Sequence, residues 1–381
     1  MPDFFATCPR GLEKLLSDEL ASFGATAVKA TDGGVGFSGD WPACYRVNLQ
    51  SRLASRILWR VQAPTPYRNE QDVYQAAYDL PWTRWFDVKH TILVKVTAIR
   101  SPLTSLEFIT LKIKDAVCDK FRAEKKERPS VAKLEPDMRI HAFFEGDKFT
   151  LYLDTSGEAL YKRGVRTHTN IAPLRENLAA GILKMTGWQP GIPLLDPMCG
   201  SGTFLIEAAQ MSLNIQPGIA RHFAFEKLKN FDVKTWTAMR EAAIAAQLPV
   251  CELPLHGSDL YGDALVAAHQ NLEEAGIRET VDLKQCNALE ASPPESTGIL
   301  VTNLPYGERM GDEDELAELY PKLGDVLKKK FGGWNAYLFT GDLRIAKLMR
   351  LTPSKRTPLF NGAIECRLFE YKIVAGSNRP R

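Results

Sequence analysis

The 381-residue chain contains no apolar run near the roughly 20 residues that a helix needs to cross a bilayer. Its opening stretch, MPDFFATCPRGLEKLL, lacks a basic segment followed by an apolar one. Neither a membrane span nor a secretory leader is expected, and the reading places the chain in the cytoplasm. A CxxC pair is also missing. The seven cysteines (Cys8, Cys44, Cys118, Cys199, Cys251, Cys286, Cys366) are odd in number and widely scattered, which argues against a disulfide framework and against a zinc site. Reduced thiols are expected, and no metal. An excess of either charge is also lacking, with 48 Lys/Arg against 46 Asp/Glu and a formal net charge of only +2, so global electrostatics do not announce a nucleic-acid partner. Internal repeats and low-complexity segments are absent. With 45% hydrophobic and 25% charged residues, the composition is that of an ordinary globular protein long enough for two or three domains.

Hydrophobic spacing then divides the chain. FFATC reads as a strand, followed by Leu12, Leu15, Leu16, Leu20 and Phe23 at helical spacing up to Gly24. Apolar or alternating runs recur at Ile57 to Val61, Thr91 to Ile99 and His141 to Asp154, with a helical stretch from Leu106 to about Glu127 between the last two. Strands interleaved with helices over the first 155 or so residues predict one or two small α+β modules. Near Gly157 the chain turns polar and basic, as in a connector. That connector ends in a helix carrying Leu174, Leu178 and Ile182, with Thr169 or Asn170 as its cap and Pro173 in its first turn. From Ile192 the pattern becomes strand, Gly-rich turn, helix, repeated, which predicts a doubly wound α/β sheet.

The first of these turns reads Asp196-Pro197-Met198-Cys199-Gly200-Ser201-Gly202-Thr203 and leads into a helix. In a doubly wound sheet it lies beyond the carboxyl end of a strand, where ligands bind. Gly200 and Gly202 let backbone approach a ligand without a Cβ, and the helix N-terminus supplies N–H donors suited to a carboxylate. A dinucleotide fingerprint would need glycine at position 205, where Leu205 stands, and a P-loop would need Gly-Lys-Ser/Thr; neither is present. By itself the motif also suits a purely structural turn. The next unit supplies Asp259, placed either to accept from ribose hydroxyls or to cap the following helix. It lies 57 residues beyond Gly202, so an insertion that includes NIQPGIARHFAFEKLKNFD must be housed between them.

After a strand at Gly298 to Thr302 comes Asn303-Leu304-Pro305-Tyr306-Gly307. An exocyclic base amine is a weak nucleophile because its lone pair is conjugated into the ring. The Asn303 amide oxygen and a backbone carbonyl of Leu304-Pro305 can accept its hydrogens and aim the nitrogen at a methyl donor. Pro305 stiffens the turn, and Tyr306 can stack on a flipped base. Cys199 is not expected to act as a nucleophile, since a thiol in the cofactor turn faces the donor.

DPMCGSGT with NLPYG resembles the class I amino-methyltransferases that act on nucleic acids. The likeness extends to LKIKDAVCDKF, RPSV, LDTSGEALYKRGVR, APLRENLAAGIL and LFNGAIECRLFEY, which are similar to the bacterial 23S rRNA guanine-N2 methyltransferases of the RlmL kind. That resemblance implies a Rossmann-like methyltransferase sheet with its last strand antiparallel, preceded by a ferredoxin-like α+β part and a THUMP RNA-binding domain. The expected division is 1–60, 61–156, a connector at 157–185 and the catalytic domain at 186–381. It implies S-adenosylmethionine as cofactor. Asp196, Met198, Gly200, Ser201, Gly202 and Thr203 would lie at its methionine end, Asp259 at its ribose and Asn287, where the family commonly has aspartate, near its adenine. Pro173 and Leu174 would close the site from the connector. Some members of the family carry a second, fused methyltransferase; none is expected in these 381 residues. The implied partner is RNA, either 23S rRNA or a large-subunit precursor, with Lys112, Lys114 and Arg128 as candidate phosphate contacts. A second basic segment, from Arg344 on, holds nine Lys/Arg against two Glu and contributes Lys355 and Arg356. Two other readings stay open: N6-adenine methylation of DNA or RNA, and a non-catalytic RNA-binding assembly factor.

Overall fold

Two seven-stranded sheets organise the chain, each within its own unit, in a computed structural model that describes residues 1–163, 174–306 and 313–374. The first unit gathers Met1–Cys8, Leu16–Leu160 and Ala220–Ala242. Its strands are β1 (Asp3–Thr7), β2 (Thr26–Thr31), β3 (Gly34–Ser38), β4 (Arg56–Pro66), β5 (Ile92–Ile99), β6 (Met138–Glu145) and β7 (Lys148–Asp154), in the order β2-β3-β1-β4-β7-β6-β5. Only β5 and β6 pair in parallel, and parallel neighbours need a crossover, supplied by the helix Leu106–Lys125. Ser105 Oγ caps this helix by accepting the Phe108 N–H at 3.2 Å, and Ile109, Ile113, Ala116, Val117 and Phe121 form its buried stripe.

Three features differ from the reading of the sequence. The run from His141 to Asp154 is a hairpin, β6 and β7, reversing at Gly146 (φ +57°) and Asp147, so a Gly-Asp turn interrupts what looked continuous. The expected division at residue 60 falls inside β4, an 11-residue strand with two register shifts that pairs with both β1 and β7. Residues 220–242 of the insertion belong to this first unit, where Phe225 stacks on Tyr45 at 4.6 Å and meets Trp236 edge-on at 5.1 Å.

The second unit comprises Pro9–Leu15, Tyr161–Ile219 and the chain from Ala243 onward. Its strands are β8 (Leu194–Asp196), β9 (Leu255–Asp259), β10 (Asp282–Gln285), β11 (Gly298–Asn303), β12 (Trp334–Thr340), β13 (Lys355–Asn361) and β14 (Ile364–Lys372). They run β10-β9-β8-β11-β12-β14-β13, parallel through β12, with β14 antiparallel to β12. The antiparallel last strand agrees with the fold that the resemblance implied. Leu300, Leu304, Tyr320, Trp334, Leu338 and Phe369 build the core on one face. The connector helix begins at Glu176 with Arg175 in the cap position, later than expected; Thr169, Asn170 and Pro173 lie outside the described residues. The short Pro9–Leu15 segment lies directly on β13: a Cβ at Gly11 (φ +94°) would fall 2.7 Å from the Pro358 carbonyl oxygen, so only glycine fits. Among the described residues no helix is long and apolar enough to cross a membrane.

Candidate active site

The carboxyl ends of β9, β8 and β11 define a crevice where the strand order reverses: the chain leaves β8 toward β9 and β10, then returns to pair β11 on β8's other side. That is the ligand-binding position of an open α/β sheet. Pairing registers fix who stands where. Asp196 is level with Gly257 on β9, and Leu195 is level with Leu300 on β11. Asp259 and Asn303 therefore each lie two residues further along on either side of Asp196, roughly 7 Å toward the open edge.

The Gly-rich turn is held by its neighbours. Gly200 N–H donates to Asp259 Oδ2 at 2.9 Å, Tyr261 N–H to Asp259 Oδ1 at 3.1 Å, and Cys199 N–H to the Ser258 carbonyl at 2.9 Å. Each Asp259 oxygen keeps a free lone pair for a hydroxyl donor. Asp196 Oδ1 accepts the Met198 N–H at 3.3 Å, and burial of its carboxyl, aided by the nearby Asp259 charge, pushes its pKa up to about 7. Burial also drives the Cys199 thiol well above its ordinary range, an inert setting for a nucleophile. The two glycines differ. Gly200 (φ +53°) has nothing within 4 Å of where its Cβ would be, whereas Gly202 (φ +82°) faces Ala268 at 3.4 Å and serves close helix packing. Ser201 and Thr203 are buried, with the Ser201 carbonyl accepting from Asn271 Nδ2 at 3.1 Å.

One compensation was invisible as a motif. Leu205, standing where a dinucleotide site would carry glycine, packs on Gly257, whose Cβ would lie 2.4 Å from Leu205 Cδ1. The small residue has moved from the helix to the strand. Its signal was the glycine in LHGSD.

On the other side, the Asn303 Oδ1 is buried and has no hydrogen-bond partner among the described residues. Leu304 N–H donates to the Phe339 carbonyl at 2.9 Å, prolonging the β11–β12 ladder and anchoring the loop that continues through Pro305. Tyr306 is buried: its ring meets Phe339 edge-on at 6.5 Å and sits on Gly341, and its hydroxyl accepts from Asn361 Nδ2 at 3.1 Å. A ring so packed presents less face to a base than stacking assumed. Asn361 and Gly341 were not singled out from sequence; both lie in strand-end segments whose relation to Tyr306 exists only after folding.

The remaining candidates lie at varied depth. Asn287 Oδ1 accepts from Leu289 N–H at 2.9 Å in a local turn, and Leu174 is buried; Pro173 is outside the described residues. In the first unit, Lys114 pairs with Asp115 at 2.8 Å, Lys112 Nζ lies over the Phe108 and Tyr74 rings at 5.5 and 5.9 Å, and Arg128 is exposed. Lys355 and Arg356 are exposed on β13, an edge strand. Among the described residues no group of three or more His, Cys, Asp or Glu could hold a metal ion.

Comparison with known proteins adds three family matches: the RlmL ferredoxin-like domain over residues 3–58, the THUMP domain over 67–154, and the RMKL-like methyltransferase domain over 163–370. A ribosomal RNA large subunit methyltransferase K/L from Shewanella sp. (strain ANA-3) is 40% identical over 384 residues, covering all of this chain and 54% of the relative. The chain thus spans about half the length of the curated relatives it matches. Among solved structures, SMU.472 in complex with SAH is 29% identical with a TM-score of 0.88, covering 100% of this chain and 99% of the other. A protein from Listeria monocytogenes described as a predicted N6-adenine-specific DNA methylase is also 29% identical, with a TM-score of 0.86 over 98% of this chain and 96% of the other.

Proposed function

The chain belongs to the RMKL-like methyltransferase family, and from that premise we propose that it transfers a methyl group from S-adenosylmethionine to the exocyclic N2 of a guanine in 23S ribosomal RNA, acting in the cytoplasm. The observation that carries the chemistry is the buried, unpartnered Asn303 Oδ1 beside the Asp196–Gly200–Asp259 constellation. An amide oxygen kept out of water without a partner is costly unless a ligand supplies the donor. An amino N–H is such a donor. Accepting it orients the nitrogen lone pair and stabilises positive charge as the new N–C bond forms. The spare proton then leaves to water.

The crevice suits the cofactor. Above Gly200 there is open space, and Asp259 has lone pairs left for ribose hydroxyls. Asp196, once ionised, can face an ammonium group. Met198, Ser201, Gly202 and Thr203 complete the turn, with Asn287 toward the adenine and Pro173 and Leu174 on the connector side. S-adenosylmethionine, when bound, supplies a methyl group already activated on a sulfonium, so no strong base is required of the protein. Asn303, Leu304, Pro305 and Tyr306 form the target pocket. The ferredoxin-like and THUMP parts, matched over residues 3–58 and 67–154, grip RNA through Lys112, Lys114 and Arg128, while 157–185 connects them to the catalytic part, 186–381, which adds Lys355 and Arg356. The RNA assignment rests on the THUMP match and on the names of the relatives.

The test is a nucleoside digest of rRNA from cells with and without the protein, read by mass spectrometry and repeated with Asn303→Ala. Loss of N2-methylguanosine in both the null and the variant is expected. Loss of N6-methyladenosine alone would move the target to adenine, and full modification by the variant would remove Asn303 from the chemistry.

A further inference from the structure

Among the described residues of the second unit, Arg163 pairs with Glu207, Arg344 with Asp342 and Arg367 with Glu365. Two are placed otherwise. Arg10 is exposed, and its guanidinium lies over the Phe360 ring at 5.1 Å; Arg175 lies over the Tyr161 ring at 4.8 Å. Neither makes an ion pair among the described residues. A guanidinium held over an aromatic face by cation–π attraction rather than by a carboxylate keeps N–H donors available for a bidentate anion.

Their location gives this arrangement a use. Phe360 precedes Asn361, whose side chain holds the Tyr306 hydroxyl of the catalytic loop at 3.1 Å. Gly362 follows, in the turn between β13 and β14, and a Cβ there would lie 3.3 Å from Arg175 Nη2. The two arginines thus reach the same hairpin end, one on the residue before Asn361 and one on the residue after it. Arg10 is held there by the fold of Pro9–Leu15. Gly11 allows that segment to lie on the β13 backbone at Pro358, and Leu12 fills the space over Gly181, where a Cβ would come within 2.6 Å of its Cδ1. An exposed cation carried on a segment so tightly seated is displayed at a fixed place.

We propose that Arg10 and Arg175 are positioning residues that grip backbone phosphates of the RNA strand next to the target nucleotide, so that its base enters the Asn303–Tyr306 pocket. This rests on the RNA reading above. Extruding a base costs stacking and pairing energy, and fixed contacts to the flanking backbone are the means of holding the strand while one nucleotide is turned out.

The experiment uses the full chain, methyl-labelled S-adenosylmethionine, and 23S rRNA purified from cells lacking the protein. Arg10→Ala and Arg175→Ala are each expected to raise the KM for RNA about three- to five-fold, and the pair about ten-fold or more, with kcat within about two-fold of wild type. The dependence of RNA affinity on salt should become shallower by about one unit of log–log slope per arginine. Affinity for S-adenosylhomocysteine should not change, which also reports that the variants fold. Phe360→Leu, which removes the ring and keeps apolar bulk, should mimic Arg10→Ala, and Arg10→Lys should restore most of the salt dependence but only part of the KM. A double variant with the KM and salt slope of wild type overturns the proposal, as does a loss confined to cofactor affinity. If the wild-type protein binds S-adenosylhomocysteine yet methylates no RNA, the functional reading falls and this inference with it. Wild-type turnover on RNA alongside an indifferent double variant removes only the clamp.

Discussion

At the carboxyl edge of the second sheet, the polar groups that matter are buried and either bonded to one another or left without a partner; along the helix Leu106–Lys125 of the first unit, they are half-buried or exposed and bonded to their own neighbours. Asp196, Asp259 and the Asn303 amide belong to the first setting. Lys114 with Asp115, Lys120 with Glu124 and Arg122 with Asp119 belong to the second. In a low-dielectric crevice each interaction is strong and its loss is expensive, whereas exposed pairs contribute little and are screened by salt. The contrast predicts that function in the crevice is concentrated in a few residues, while RNA contact by the basic helix is spread thinly over many.

The largest effect should come from Asp259. Its carboxylate holds the Gly200 N–H and retains lone pairs for ribose hydroxyls, so Asp259→Ala removes both the loop's anchor and the ligand's acceptor. With about 1.5 kcal/mol for each of two charge-assisted hydrogen bonds, affinity for S-adenosylhomocysteine should fall about 100-fold by calorimetry. A change under three-fold would leave Asp259 only as an anchor of the turn, through the Gly200 and Tyr261 N–H groups, and remove the crevice's claim to concentrated function.

An effect of about ten-fold should appear with pH alone. Burial raises the Asp196 pKa to about 7, so near neutrality its carboxyl is only partly ionised in the free protein. A ligand carrying an ammonium group binds the ionised form, so binding should release a proton and strengthen as pH rises through 7. Between pH 6 and pH 8 the ionised fraction changes about ten-fold, and the dissociation constant should follow. Asp196→Asn should bind weakly and flatten the profile. Stability should respond in the opposite sense. The folded-state pKa lies above the ordinary carboxylate value of 3.8, so the folded state binds more protons in that window, and the free protein loses stability as pH rises from about 4 through about 7. A ligand affinity independent of pH would mean that Asp196 is not at the ammonium end.

The same contrast explains which parts were legible in the sequence. Turn chemistry is local: the residues from Asp196 to Thr203 and from Asn303 to Tyr306 carry their backbone requirements in a few adjacent letters, and both motifs fall at strand ends in neighbouring strands. The parallel sheet followed from its strand–turn–helix repetition. What stayed hidden was non-local. Gly257 replaces a missing glycine 52 positions from Leu205, Asn361 reaches Tyr306 from 55 positions away, and Gly341 is a seat for a ring that sequence reading had assigned to stacking. The assignment of residues 220–242 to the first unit is of the same kind, since aromatic residues reveal that they pack without revealing on what. Continuity of β4 across residue 60 was masked because bulges disturb the alternation that marks a strand.

The smallest effect tests the other side of the contrast. Lys112 and Lys114 lie two residues apart on one helix and look equivalent as letters, but Lys114 is 2.8 Å from Asp115 while Lys112 rests over two aromatic rings. A lysine bound to a carboxylate must give up that partner before it meets a phosphate, so its net gain is small. A lysine on a ring face gives up less, because the cation keeps N–H donors free while the ring holds its stem. In filter binding to 23S rRNA, Lys112→Ala should weaken affinity about two- to three-fold and lower the log–log salt slope by about one, whereas Lys114→Ala should stay within experimental scatter. Asp115→Asn should release Lys114 and tighten binding slightly. If Lys114→Ala proves the costlier change, the ion pair opens readily on contact with RNA, and helix carboxylates are then no guide to which cations are free to bind.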